Sequence, residues 1–245
     1  MDRMIYMAMS GAKQLANAQA VNANNLANVT TTGFRADFQQ QRSMPLFGDG
    51  HPTRVFAMTE RPGTDFTNGP LSHTGRELDI AIEGDGWLAV QARDGTEGYT
   101  RLGGLKITPE GILQTTSGLT VLGNGGPIAL PPADKIEIGS DGTISILPLG
   151  EEGTNLAVID RIKLVNPPIR ELEKNNDGLF RQKDGQIAQA DINVRVRSGS
   201  LEASNVNVVE ALTSLITLSR LYEMQVKLMK KAEDADSRAT TMLRS

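Results

Sequence analysis

The chain has 245 residues, a formal net charge of -4 and a pI near 5.3, and none of its Lys and Arg residues form a basic cluster. That balance argues against nucleic acid and against an anionic membrane surface as partners. Cysteine is absent, which excludes disulfides and thiolate metal sites, and aromatics at 4% are too few to anchor every segment in one dense core.

No run approaches the roughly 18 apolar residues of a membrane span, so membrane insertion is not expected. Residues 1–13 lack the uninterrupted apolar stretch of a cleaved signal. The expectation is a cytosolic protein, or one exported by a route that reads no cleaved signal.

In chain order, the first predicted element is a helix over residues 1–30. Ile5, Ala8, Ala12, Leu15, Gln19, Asn22 and Leu26 recur at alternating spacings of three and four, with Asp2 placed to cap the start. That is a seam for another helix, but a thin one. Alanines permit close approach, while buried Gln and Asn fix register at a cost in stability. Residues 28–34 read as a helix stop and turn, with Gly33 supplying a left-handed conformation. The sequon Asn28-Val-Thr is read here as helix-end chemistry.

From 31 to 68 periodicity fades. Gln39-Gln-Gln, Gly48-Asp-Gly and prolines at 45, 52 and 62 predict an extended connector with little structure of its own. Phe34, Phe38, Phe47, Phe56 and Phe66 are spaced to pin it at intervals.

From 69 to 199 the period becomes two. Leu78, Ile80 and Ile82 alternate with polar residues, as do Ile136 and Ile138, Ile144 and Ile146, Ile162 and Leu164, and Ile192, Val194 and Val196. Turns such as Gly84-Asp-Gly, Asp141-Gly and Asp177-Gly separate them. This predicts an all-β domain, with Trp87, the single tryptophan, as a core anchor.

The last segment, 200–245, is a long helix with an explicit start. Asn207 caps it, and Glu210 stands at the capping-box position. Val208, Ala211, Leu215, Leu218, Tyr222, Gln225, Met229 and Ala232 form its seam, and Leu212 and Ile216 widen the seam to a face. The predicted fold class is therefore mixed α and β: terminal helices forming a coiled-coil-like assembly domain around an inserted all-β domain.

Catalytic chemistry is poorly supplied. His51 and His73 lack a histidine partner at helical or strand spacing, and no nucleophile elbow, phosphate loop or calcium-loop pattern occurs. The acidic pairs Glu83/Asp85 and Glu151/Glu152 read as solvated turns. No enzyme, cofactor or metal is expected.

Several stretches, taken in order, resemble the flagellar rod and hook family. Ala27-Asn-Val-Thr-Thr-Thr-Gly-Phe-Arg is similar to its N-terminal signature. Leu78-Asp-Ile-Ala-Ile-Glu-Gly-Asp-Gly-Trp is similar to the opening of its central domain, and Gly98-Tyr-Thr-Arg-Leu-Gly and Gly126-Pro-Ile-Ala-Leu-Pro continue the match. Gly199-Ser-Leu-Glu-Ala-Ser-Asn-Val-Asn is similar to its C-terminal signature. Thr32 departs from the pattern where many members have proline, and Arg35 where lysine is frequent. Within the family the resemblance is to a proximal rod subunit carrying a central domain, with the distal rod subunit as the alternative. Outside it, a peptidoglycan-acting enzyme and a carbohydrate-binding domain are the competing classes. The second would need clustered aromatics where 69–199 offers only Trp87, Tyr99 and Phe180.

The resemblance implies unfolded export through the flagellar type III apparatus without a cleaved signal. It also implies assembly with itself and with proximal and distal rod subunits into a periplasmic drive shaft. From the seams, Ile5, Ala12, Leu15, Asn22, Leu26, Val208, Leu212, Leu215, Leu218, Tyr222 and Met229 are the expected assembly interface. The resemblance adds Asn28, Thr31, Gly33 and Phe34 from the first signature and Gly199, Leu201, Glu202, Ser204 and Asn205 from the last. Because ordering a residue costs about 1–2 kcal/mol and the seams bury little apolar surface, both tails are expected to take shape only on assembly.

Overall fold

The computed structural model describes residues 3–39, 41–45, 55–59, 63–149 and 156–244. Asp2, Phe47, Gly48-Asp-Gly, His51, Pro52, Pro62 and the Glu151/Glu152 pair lie outside them, as does the side chain of Phe56. The chain is mixed, with a helix at each end and antiparallel β-structure between, and it divides into two compact units.

The first unit takes in Met1–Val29, Arg35–Asp65 and Val206–Ser245. It holds α1 (Arg3–Ala27) and α2 (Val208–Arg244). α2 starts where the cap predicts: Asn207 Oδ1 accepts the amides of Val209 (3.0 Å) and Glu210 (3.3 Å), two donors the helix cannot satisfy internally. The connector is more structured than its composition suggests. Gln41–Pro45 pairs antiparallel with Val55–Thr59, and Asp37–Phe38 with Gly63–Thr64. A hairpin pairs residues close in sequence, so it needs no long-range apolar pattern that periodicity could have revealed. Phe38 is 50% exposed and does not pin the connector as expected.

The second unit comprises Thr30–Phe34 and Phe66–Asn205. It therefore exceeds the expected 69–199 at both ends, because Ser200–Glu202 is a strand paired with Leu71–His73 rather than part of a helix. Trp87–Gln91 is the central strand. It pairs with Glu97–Thr100 on one side and with Thr120–Val121 and Leu164–Val165 on the other. Leu113–Thr115 and Leu105–Ile107 extend the sheet one way, Phe180–Gln182 and Leu172–Lys174 the other. A three-stranded sheet (Ala133–Ile138, Thr143–Pro148, Ala157–Arg161) and the pair Ile80–Glu83 with Arg195–Ser198 complete the described β-structure.

The run Trp87-Leu-Ala-Val does not alternate because both faces of its strand are covered. Leu88 and Val90 enter a large aliphatic cluster with Ile80, Leu113, Ile128, Ile144, Ile146 and Ile162. Trp87 and Ala89, on the opposite face, join Tyr99, Val165, Leu172 and Phe180. Trp87 is a core anchor, its ring 4.5 Å from that of Phe180 and edge-on to Phe66 at 6.0 Å. Ile192 breaks its predicted alternation and is exposed, since Asp191 Oδ1 turns the chain there by accepting the Asn193 amide.

Tyr99 is the polar member of the aromatic cluster, and its hydroxyl oxygen accepts the Ala188 amide at 2.7 Å. Burial raises its phenol above the ordinary value, against the opposing effect of the Ala188 amide and reinforced by Glu97. A raised phenol contributes stability at neutral pH that is lost as pH climbs past about 10. Thermal melts should therefore show an alkaline loss of stability that Tyr99→Phe diminishes. At neutral pH the same variant leaves the Ala188 amide unsatisfied, at about 1–3 kcal/mol.

Candidate functional site

Two constellations stand out, one in each unit. In the first unit, α1 and α2 run antiparallel. Gln19 Nε2 donates to Ser219 Oγ (2.9 Å) and Asn22 Nδ2 to the Ala211 carbonyl (2.7 Å), while Gly11 lies against Gln225. All seven expected seam positions of α1 are buried or half-buried. On α2 the seam is kept by Ala211, Leu215, Leu218, Gln225, Met229 and Ala232, whereas Val208 and Tyr222 are exposed. The fully buried apolar residues of the pair, among those described, are Ala8, Ala12 and Ala211.

The two tails pair with each other within the single chain. The pairing is nonetheless thin. Val209 is 70% exposed, and Leu212, Ile216, Met224, Val226 and Leu228 are also exposed, so a row of large apolar residues faces solvent along α2.

The end of α1 is fastened by amides. Asn28 Nδ2 donates to the Asn24 carbonyl at 3.0 Å, closing the helix end. Asn25 grips the Asp37 backbone from both sides, donating to its carbonyl (2.6 Å) and accepting its amide (2.9 Å). Asn25 lies off the apolar seam, so the seam's spacing does not mark it. The recurrence of asparagine at 22, 25 and 28 was the available signal.

In the second unit, three stretches distant in sequence meet at one buried ion pair. Arg101 Nη1 donates to Glu202 Oε2 at 3.0 Å, with side chains 3% and 1% exposed. The other carboxylate oxygen accepts the Gly69 amide at 2.9 Å, and Arg101 Nη2 donates to the Gly84 carbonyl at 2.7 Å. The guanidinium stands 5.3 Å from the Trp87 ring centroid, within cation–π range. The backbone carbonyl of Glu202 accepts the Gly33 amide at 2.8 Å. Asn205 Nδ2 donates to the Thr67 carbonyl (3.1 Å), and Lys174 Nζ lies 4.3 Å from the Phe34 ring centroid.

Gly33 has φ +67°, and a Cβ there would lie 2.3 Å from the Arg101 carbonyl carbon. Hence both the expected left-handed turn and a close approach require glycine. Of the signature residues, Gly199, Glu202 and Ser204 are buried, Leu201, Gly33, Phe34 and Asn205 are half-buried, and Thr31 is exposed. Arg101 lies in a motif quoted for the resemblance, yet nothing local in the sequence marks it as the partner of a glutamate 101 positions away.

Elsewhere, Glu83 is engaged by Arg197 Nε at 2.7 Å. A cleft of about 470 Å³ has two charged lining residues, Glu97 and Lys163, and they pair with each other at 2.8 Å.

Three family descriptions match this chain: Flagella basal body rod protein over residues 5–35, Flagellar hook protein FlgE/F/G D1 domain over 81–146, and Flagellar basal body rod FlgEFG protein C-terminal over 197–242. Each of the three matched stretches sends a residue to the Arg101 junction: Gly33, Arg101 and Glu202 respectively. The chain is 44% identical to the flagellar basal-body rod protein FlgF of Escherichia coli (strain K12), covering 99% of each chain. It is 34% identical to FlgF of Caulobacter vibrioides, covering 99% of this chain and 98% of the relative. With FlgG of Bacillus subtilis the identity is 30%, over 95% of this chain and 96% of that one.

Proposed function

Because the chain belongs to the flagellar basal-body rod protein family, we propose that it polymerises through its terminal helices into the axial shaft carrying torque from motor to hook. Its structural role in the rod follows from that membership, and the higher identity to FlgF than to FlgG favours the proximal level over the distal one.

The observation that carries the polymerisation reading is the row of exposed apolar residues along α2, from Val209 through Leu228. A helix that hides its alanines and displays Leu212, Ile216 and Val226 is shaped for several neighbours. The occupants are further copies of this chain and other rod subunits, in coiled-coil-like contacts that do not close on themselves and so grow as an open helical array. Neighbours would then supply most of the stability of a hairpin whose own seam buries so little, which restrains assembly away from a preformed end. Delivery is by the flagellar type III export apparatus into the periplasmic space. The Cys-free composition suits that passage, since no thiol can be trapped by oxidation.

Imaging of basal bodies tests this. A strain lacking the chain should stop rod growth at the proximal level and fail to swim, and the complemented strain should show its density there. Complete rods in the deletion strain would count against the reading.

A further inference from the structure

We propose that Arg101 and Glu202 are positioning residues whose ion pair clamps, within the β-rich unit, the two connecting segments that continue into α1 and α2. The inference deepens the rod reading and rests on it for its mechanical consequence, but the clamp itself can be measured on the isolated chain.

The geometry is that of a hub. One carboxylate serves Arg101 and the Gly69 amide at once, and the carbonyl of the same residue receives the Gly33 amide. Phe34, next along the chain, accepts the Asn205 amide at 3.4 Å, so the outgoing and returning connections are bonded to each other beside the pair. Arg101 is held in turn by the Gly84 carbonyl and the Trp87 face, both part of or adjoining the central sheet. The first connection leads to Val29 and the second to Val206, the points at which the chain passes into the helix-bearing unit.

Stability alone does not account for such a pair. Removing two charges from water is costly, and well-packed apolar residues of similar volume commonly serve stability as well or better. What an apolar pair lacks is direction. A carboxylate gripping a guanidinium and an amide at fixed angles holds two segments in one register, whereas aliphatic surfaces can slide. In a part that transmits torque, register at the roots of the connections is the property that matters.

Those two roles separate in the double variant R101M/E202L. A purely structural pair predicts that a folded apolar replacement keeps full function. The clamp predicts a melting midpoint within about 4 °C of the parent, together with at least a tenfold faster hydrogen exchange at the Gly33 and Gly69 amides and loss of swimming. Amides of the Trp87–Gln91 strand should keep their protection in both proteins.

The single variant E202Q covers the case in which the double variant does not fold. An amide can accept from only one of the two donors facing the carboxylate, so exchange at Gly69 should rise in the purified full-length chain. Unchanged exchange at both glycines in E202Q overturns the clamp. So does R101M/E202L protein that folds and supports normal swimming. If the exchange changes appear but deletion of the whole chain leaves rods complete, the rod reading fails and not the hub.

Discussion

Gly33→Ala is expected to cost the protein its swimming function, while Gly75→Ala leaves it near normal. Both glycines have positive φ, +67° and +72°, so alanine suffers the same left-handed penalty of about 1–2 kcal/mol at either site. They differ in surroundings. Nothing lies within 4 Å of a Cβ at Gly75, but at Gly33 it would stand 2.3 Å from the Arg101 carbonyl carbon and 2.6 Å from the Leu102 nitrogen. Backbone cannot yield as a side chain can, so the turn must withdraw and give up the Gly33 amide's bond to Glu202. We expect a total cost of about 3 kcal/mol or more, within the range of severe single substitutions. Much of it should appear as local undocking of Thr30–Phe34 rather than as unfolding of the sheet. Swimming assays and exchange at the Gly33 amide check this. Gly33→Ala cells that swim as well as Gly75→Ala cells would remove the turn from any role in assembly.

Leu215→Asp should abolish incorporation into the rod and leave the β-rich unit folded. Leu215 is half-buried in the first third of the α2 seam. The substitution gives up part of the roughly 1.5–3 kcal/mol that full burial of a leucine is worth and places a charge against a helix pair whose fully buried apolar residues, among those described, are alanines. A contact that thin has no reserve. The two units report separately: α1 and α2 dominate the far-ultraviolet helical signal, and Trp87, the single tryptophan, sits in the aromatic cluster of the second unit. The expected result is reduced helicity, unchanged tryptophan emission and non-swimming cells. Leu26→Asp, on the facing seam, should behave alike. Swimming cells carrying either variant would show that the seam is not needed for assembly.

Both helices, the Asn207 cap and the left-handed Gly33 were readable from the sequence because each depends on neighbours within a few residues. Helical spacing, a capping side chain and a glycine in a turn are local conditions, and local chemistry is written in order along a chain. The assignment to rod proteins was readable too, since several motifs follow one another in order and none requires knowledge of contacts. Most of what stayed hidden was set by pairing at a distance. Periodicity located Ile80, Ile144 and Ile162 as core but could not say that Trp87–Gln91 is covered on both faces, because a doubly covered strand loses the alternation that would reveal it. The hairpin Gln41–Pro45 with Val55–Thr59 escaped notice because its pairing rests on backbone bonds rather than on an apolar pattern. Arg101 and Glu202 are two charges among many until the fold brings them to 3.0 Å and removes water from both. Sequence determined the two helices, the strand-rich character of the central segment and the family they serve. Only the tertiary structure decided that Gly33, Arg101 and Glu202 meet, because burial and direction belong to the folded arrangement and to no single stretch of chain.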